Sequence, residues 1–159
     1  MIEIHDSPNV SNRTPGTHID SIIIHATANA SFDGALSWMM NPNAKVSSHY
    51  LIGKDGRTAR LVPDEKRAWH AGLSSWDGRD DLNQYAIGIE LVNLNDDKDP
   101  YPDAQIEALA NLVADLLKKH KIILHNVVSH QQVAPKRKTD PGLMFPWFDF
   151  GYRVGVKSI

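Results

Sequence analysis

The sequence predicts a mixed α/β sheet covered by helices, and three segments carry that prediction. "HIDSIIIHAT" sets three isoleucines in a row between polar residues. The run is too short for a helix and strongly β-branched, so it reads as a buried central strand ending near His25. "SSHYLIGKDGRTARLVP" contains two strand-like runs joined by Asp55-Gly56, the residue pair that a tight hairpin turn favours. "DAQIEALANLVADLLKKHKI" repeats Ile106, Leu109, Leu112, Val113, Leu116 and Leu117 at helical spacing, an apolar stripe that needs a covering layer. Strands alternating with helices point to a central sheet flanked by helices.

The remaining elements follow in order. The first 17 residues, rich in Pro, Ser, Asn and Gly, read as an extended lead-in. "SFDGALSWMMNP" predicts a helix with Ser31 as N-cap, Leu36, Met39 and Met40 on its inner face, and Asn41-Pro42 as its stop. "YAIGIELVNL" is a further apolar run interrupted by one acid, Glu90. The long helix takes Asp103 as N-cap and ends on Lys118, Lys119 and His120, the charge that its C-terminus prefers. "NVVSH" predicts a short strand ending on His130, and the Gln131 to Lys136 stretch reads as a loop. Phe145, Trp147 and Phe148 are expected to pack the C-terminal segment down. There is no repeat, low-complexity tract or linker, so one domain spans 1–159.

Composition narrows the partners. A formal charge of -2 gives no basic field, which sets nucleic acid aside. The chain has no cysteine, which excludes disulfides and thiolate metal sites and leaves His with carboxylates for any metal. No apolar run approaches the roughly 18 residues of a membrane span, and the first residues lack a leader's basic and apolar regions. As written the chain is expected in the cytoplasm, with the cell envelope open if a leader has been removed. No spare apolar stripe asks for a partner, so a monomer is expected.

His25 and His130 each close a strand, and strand ends on one edge of an α/β sheet are where sites assemble. With Asp140 they form a His, His, Asp set, the three-ligand pattern of a catalytic zinc. Nothing local links His25 to the other two, and with eight histidines in the chain a chance pairing fits the spacing as well. Glu90 has two readings. It is a carboxylate on the solvated face of an edge strand or in a buried ion pair, or it is the general base beside water acidified by a metal. Lys138 lies two residues before Asp140, and in an extended segment the two share a side. It is either a solvated lysine in a basic loop or a fixed ammonium for a developing oxyanion.

"IIIHAT", "SSHYLIGKDG", "RAWHAG", "AIGIELVN", "VVSHQQVAPKRKTDPG" and "FPW" occur in the order found in zinc-dependent N-acetylmuramoyl-L-alanine amidases of the type 2 family. The chain resembles that family from about Ile22 to Trp147, most closely its bacterial branch of 1,6-anhydro-muropeptide amidases. The family is related in fold to the peptidoglycan recognition proteins. The resemblance implies Zn2+ held by His25, His130 and Asp140, with Glu90 as acid/base and Lys138 as oxyanion stabiliser. Asp140 stands where some phage members carry Cys. It further implies a core of about 18–150 and a peptidoglycan or muropeptide substrate, cut between the lactyl group and L-alanine. Arg137 is a candidate for a stem-peptide carboxylate, and His70, Asn29 and Trp76 for other substrate contacts, each with a packing role as the alternative. Asp81 departs from the family, whose members often carry Arg there. Alternatives to the amidase are a non-catalytic peptidoglycan-binding module and a zinc peptidase cutting within the stem peptide.

Overall fold

The computed structural model describes residues 1–158; Ile159, the last residue of the expected domain, lies outside them. The elements are β1 (Ile2–Ile4), β2 (Val10–Asn12), β3 (Ser21–Ala26), α1 (Phe32–Met40), β4 (Tyr50–Ile52), β5 (Thr58–Arg60), β6 (Lys66–Ala68), β7 (Ser75–Trp76) and β8 (Arg79–Asp80). They continue with β9 (Ala86–Leu91), α2 (Asp103–His120), β10 (Val127–Ser129), α3 (His130–Val133) and α4 (Trp147–Lys157). Six strands form the central sheet in the order β1-β5-β4-β9-β3-β10. Only the β4–β5 hairpin is antiparallel; the other neighbours run parallel. The hairpin turns at Asp55-Gly56 as expected, and Gly56 holds φ 85, a conformation costly for residues with a Cβ.

β3 is buried along its whole length because it has sheet neighbours on both edges and cover on both faces. One face packs Ile22, Ile24, Ile87 and Ile89 against the α2 stripe and Phe150 of α4. Burying each such side chain stabilises the fold by roughly 1.5–3 kcal/mol. The other face carries two separate apolar patches. Ile23 and Val128 pack with Ala71, Leu82 and Val133 on one side, while Leu51 and Ala59 pack under Ala35 and Met39 of α1 on the other. Between the patches runs β9, whose Gly88 and Glu90 stand level with Ile23 and His25 of β3. The gap between these patches is where polar groups collect.

Several sequence expectations need correction. The lead-in is extended but not loose, since β1 pairs with β5 and β2 with β6. Arg13 anchors it: all five guanidinium N–H groups donate to the carbonyls of Asp64, Asn83, Gln84 and Ala86. Ser31 caps α1 as expected, but Leu36 and Met40 are only half-buried, and Ala35 joins Met39 as the buried pair. The N-cap of α2 is Pro102; Asp103 is the first helical residue, and its carboxylate pairs with Arg153. After Ser129 the chain enters a helical turn, not a loop, because the Ser129 and Gln132 side chains close a capping box. Phe145 is buried, but Phe148 is 91% exposed and Phe150 supplies the contact expected of it. Phe148, Tyr152 and Val156 thus leave an apolar stripe on the outer face of α4, contrary to the expectation of none.

Asp64 ties the layers together. Its carboxylate accepts from Tyr50 of β4 at 2.7 Å and from Lys119 and His120 of α2, each at 2.8 Å. Burial raises a carboxyl, but these three partners outweigh it and lower Asp64 to about 2. A carboxylate depressed in this way contributes stability that is present above its unfolded pKa and lost as pH falls through the folded one. Asp64→Asn is expected to destabilise the fold by about 2 kcal/mol at neutral pH. Denaturant unfolding from pH 7 to pH 2 should show the parent losing this advantage between about pH 4 and pH 2. Parallel stability profiles for the two proteins would refute the role of Asp64.

Candidate metal centre

The candidate centre forms where three neighbouring parallel strands end on one edge. His25 is the fifth residue of β3, Glu90 faces it across the β3–β9 ladder, and His130 follows β10 directly. Asp140 reaches them from the segment after α3, where the Gln131 N–H donates to its carbonyl at 3.0 Å. His25, His130 and Asp140 are buried and offer ligand atoms that converge. His25 Nδ1 lies 2.9 Å from His130 Nδ1 and 3.3 Å from Asp140 Oδ2, and His130 Nδ1 lies 3.0 Å from the same oxygen.

The donor chemistry of this set fits a divalent cation. His130 Nε2 donates to the Ala71 carbonyl at 3.1 Å, so the neutral ring presents a bare Nδ1 to the centre. His25 Nε2 meets His70 Nδ1 at 3.0 Å, and with the proton on that Nε2 the His25 Nδ1 is bare as well. Burial, with His130 and Lys138 nearby, lowers His25 to about 4 against the opposing pull of Asp140, which favours its neutral form at pH 7. Two imidazole lone pairs and a carboxylate oxygen facing one point repel each other unless a cation lies between them. Zinc with bonds of about 2.0–2.2 Å separates tetrahedral ligands by roughly 3.3–3.6 Å; the His25–Asp140 edge of 3.3 Å matches, and the other two, 2.9 and 3.0 Å, are shorter.

Glu90 stands beside this set, with Oε1 4.0 Å from His25 Nδ1 and Oε2 buried without a hydrogen-bond partner. Of its two readings, the edge-strand one fails, since β9 is interior with β4 and β3 on its flanks. Burial and the charge of Asp140 push the Glu90 carboxyl up to about 8, offset in part by Lys138. Lys138 lines the same cleft as Glu90 and Asp140, although its segment is a turn closed by its own N–H to Ala134 and not an extended run.

The other candidates separate. His70 and Asn29 line the cleft, a cavity of about 390 Å³. Arg137 lines it too, but its Nη2 is taken by the carbonyls of Ala71 at 2.8 Å and Leu73 at 2.7 Å. Trp76 lies outside the cleft: it packs against the Ile23–Val128 patch and tilts over His125. Asp81 pairs with Arg67. Sequence reasoning missed Trp38, Asn95 and Thr139 as cleft residues. A tryptophan on the outer face of a predicted helix was the available signal for Trp38; the other two gave none.

A histidine stack supports the site from below. His70 sits on Gly88, where an added Cβ would come within 2.4 Å of the His70 ring. The Gly88 N–H donates to His49 Nδ1 at 2.9 Å, and His49 Nε2 in turn meets the Lys66 carbonyl at 3.1 Å. Burial lowers His49 to about 3, aided by Arg13, and carries His70 well below the ordinary imidazole range.

The chain is similar to known proteins in sequence and fold. The family model "N-acetylmuramoyl-L-alanine amidase" matches residues 15–143. The chain belongs to that family. It is 42% identical over 144 residues to the N-acetylmuramoyl-L-alanine amidase AmiD of Escherichia coli, covering 81% of this chain and 51% of AmiD. It is 41% identical over 136 residues to the 1,6-anhydro-N-acetylmuramyl-L-alanine amidase AmpD of Citrobacter freundii, covering 79% of this chain and 72% of that protein. The chain therefore spans about half the length of one of these relatives and under three quarters of the other. The structure of E. coli AmiD with anhydro-N-acetylmuramic acid-L-Ala-D-gamma-Glu-L-Lys superposes with a TM-score of 0.80 at 36% identity. That match covers 89% of this chain and 60% of AmiD.

Gly88→Ala is expected to drive the new methyl into the His70 ring and destabilise the fold by about 1–3 kcal/mol. Chemical denaturation of the two proteins checks this, and equal stability would show that the ring can yield at no cost.

Proposed function

We propose that the chain is a zinc amidase that hydrolyses the bond between the lactyl group of (anhydro-)N-acetylmuramic acid and the L-alanine of a stem peptide. The carrying observation is the convergence of His25 Nδ1, His130 Nδ1 and Asp140 Oδ2 beside the buried, unpaired Glu90 carboxyl. The substrate named in the AmiD complex supports the substrate class. Among the described residues no helix is long and apolar enough to cross a membrane.

His25, His130 and Asp140 would hold the zinc, which supplies a Lewis acid and lowers the pKa of water toward neutrality when bound. Glu90 takes a proton from the attacking water as its oxygen adds to the lactyl carbonyl carbon. Burial makes the Glu90 carboxylate a stronger proton acceptor than an exposed glutamate, and it can still surrender that proton to the leaving nitrogen. Lys138 presents its ammonium to the same cleft and offsets the negative charge that gathers on the former carbonyl oxygen. Glu90 then passes the proton to the nitrogen as the carbon–nitrogen bond breaks, leaving a lactyl carboxylate and a free L-alanine amine. The exposed Trp38 and the half-buried Trp69 give the cleft flat apolar walls, and Asn29 and Asn95 give it polar ones.

Incubation with purified anhydro-muropeptides and with intact sacculi, products weighed by mass spectrometry, tests the reaction. Free stem peptide beginning with L-alanine is expected. Products that keep L-alanine on the lactyl group would instead identify a peptidase, and an absence of any cleavage by the zinc-loaded protein would leave only binding. Glu90→Ala should lower kcat by about 10²–10⁴-fold while zinc is retained, and Lys138→Ala by about 10²–10³-fold. Full turnover in a zinc-loaded Glu90→Ala protein would remove Glu90 from the mechanism.

A further inference from the structure

We propose that Asn83 is a positioning residue for the metal centre, acting through two consecutive residues that orient both histidine ligands. The role rests on the reading of His25, His130 and Asp140 as metal ligands. Asn83 belongs to a short 3-10 turn (Leu82–Gln84) before β9, far in sequence from all three, and is 5% exposed. Its Oδ1 accepts from the N–H of His70 at 3.0 Å and of Ala71 at 2.8 Å. Two donors meeting one atom identify that atom as the oxygen of the amide.

These two residues supply the outer contacts of the ligand rings. His70 Nδ1 meets Nε2 of His25, and the Ala71 carbonyl receives the Nε2 proton of His130. One amide oxygen therefore holds the two peptide planes on either side of the His70 Cα, so that the His70 ring projects from between them and the Ala71 carbonyl follows in the next peptide unit. No ladder does this instead, because residues 69–73 lie beyond β6 and belong to no strand. Asn83 is itself held in place: its carbonyl accepts from Arg13 at 3.0 Å, and its neighbour Leu82 is buried against Ala71. Outer contacts of this kind set which imidazole nitrogen is free for a metal and how the ring is aimed.

The test uses the full chain, zinc affinity by chelator competition, and the visible spectrum of the cobalt-substituted protein. Asn83→Ala is expected to bind zinc about 10–100-fold more weakly and to shift the cobalt bands, as loss of a ligand's outer partner does. Asn83→Asp keeps an acceptor oxygen in place and is expected to restore affinity to within about threefold of the parent, with the parental spectrum. Asn83→Ser, whose shorter side chain reaches at most one of the two N–H groups, should fall between them. A purely structural role would lower the stability of the metal-free protein and leave the cobalt spectrum unmoved. Parental affinity and spectrum in a folded Ala or Ser variant overturn the proposal, as does an altered spectrum in a folded Asp variant. If Ala and Ser fail to fold, the Asp variant decides alone. A parent chain that takes up no zinc overturns the metal reading itself and this role with it.

Discussion

The parallel register of β9, β3 and β10 is the constraint on which the rest of the molecule depends. It sets Glu90 level with His25 and ends β10 beside Ile24, so that His130 emerges one residue further along the same edge. Parallel strands cannot be joined by a tight turn, and β9 and β10, which flank β3, are connected by a chain that leaves the sheet at Leu91 and returns at Val127. That crossover is α2, whose apolar stripe covers one face of the strands it connects. Its C-terminal residues Lys119 and His120 close on Asp64, which locks the crossover to β4. The core and the positions of His25, Glu90 and His130 thus depend on the same strands.

The opposite face shows how a polar site is kept inside a folded domain. Its cover is split into two apolar patches, and the column between them holds Glu90, His25, His70 and His49. Four imidazoles near a carboxylate pair are tolerable because burial keeps His25, His49 and His70 uncharged. Most of their nitrogens are met by backbone groups or by one another, which leaves the ligand atoms free to point at a common place. Gly88 makes room for the stack, and Arg13 and Asn83 hold its margins through carbonyls and amides. Glu90 Oε2 and His70 Nε2 are buried without a partner, and both residues line the cleft.

Arg137 illustrates how a residue type suggests more than its position delivers. A guanidinium beside Lys138 suits a substrate carboxylate, yet part of it is spent clasping the carbonyls of Ala71 and Leu73. It steadies the same segment that Asn83 holds from the other side. Trp76 departs further, because the β7–β8 hairpin carries it onto the Ile23–Val128 patch, away from the cleft.

By itself the sequence determined what periodicity and local chemistry encode. The isoleucine strand, the Asp55-Gly56 hairpin, the α2 stripe and the Ser31 cap each depend on residues within one or two turns of each other. Ordered motifs also singled out His25, Glu90, His130, Lys138 and Asp140, which share one cleft or its floor. Only the tertiary structure decided which nitrogen each histidine presents, that Phe148 faces solvent while Phe150 is buried, and that Arg13 and Asn83 matter at all. The reason is physical. Periodicity reports which face of an element avoids water, whereas a hydrogen bond between residues 13 and 64 or 71 and 83 exists only once the sheet has brought distant segments within 3 Å.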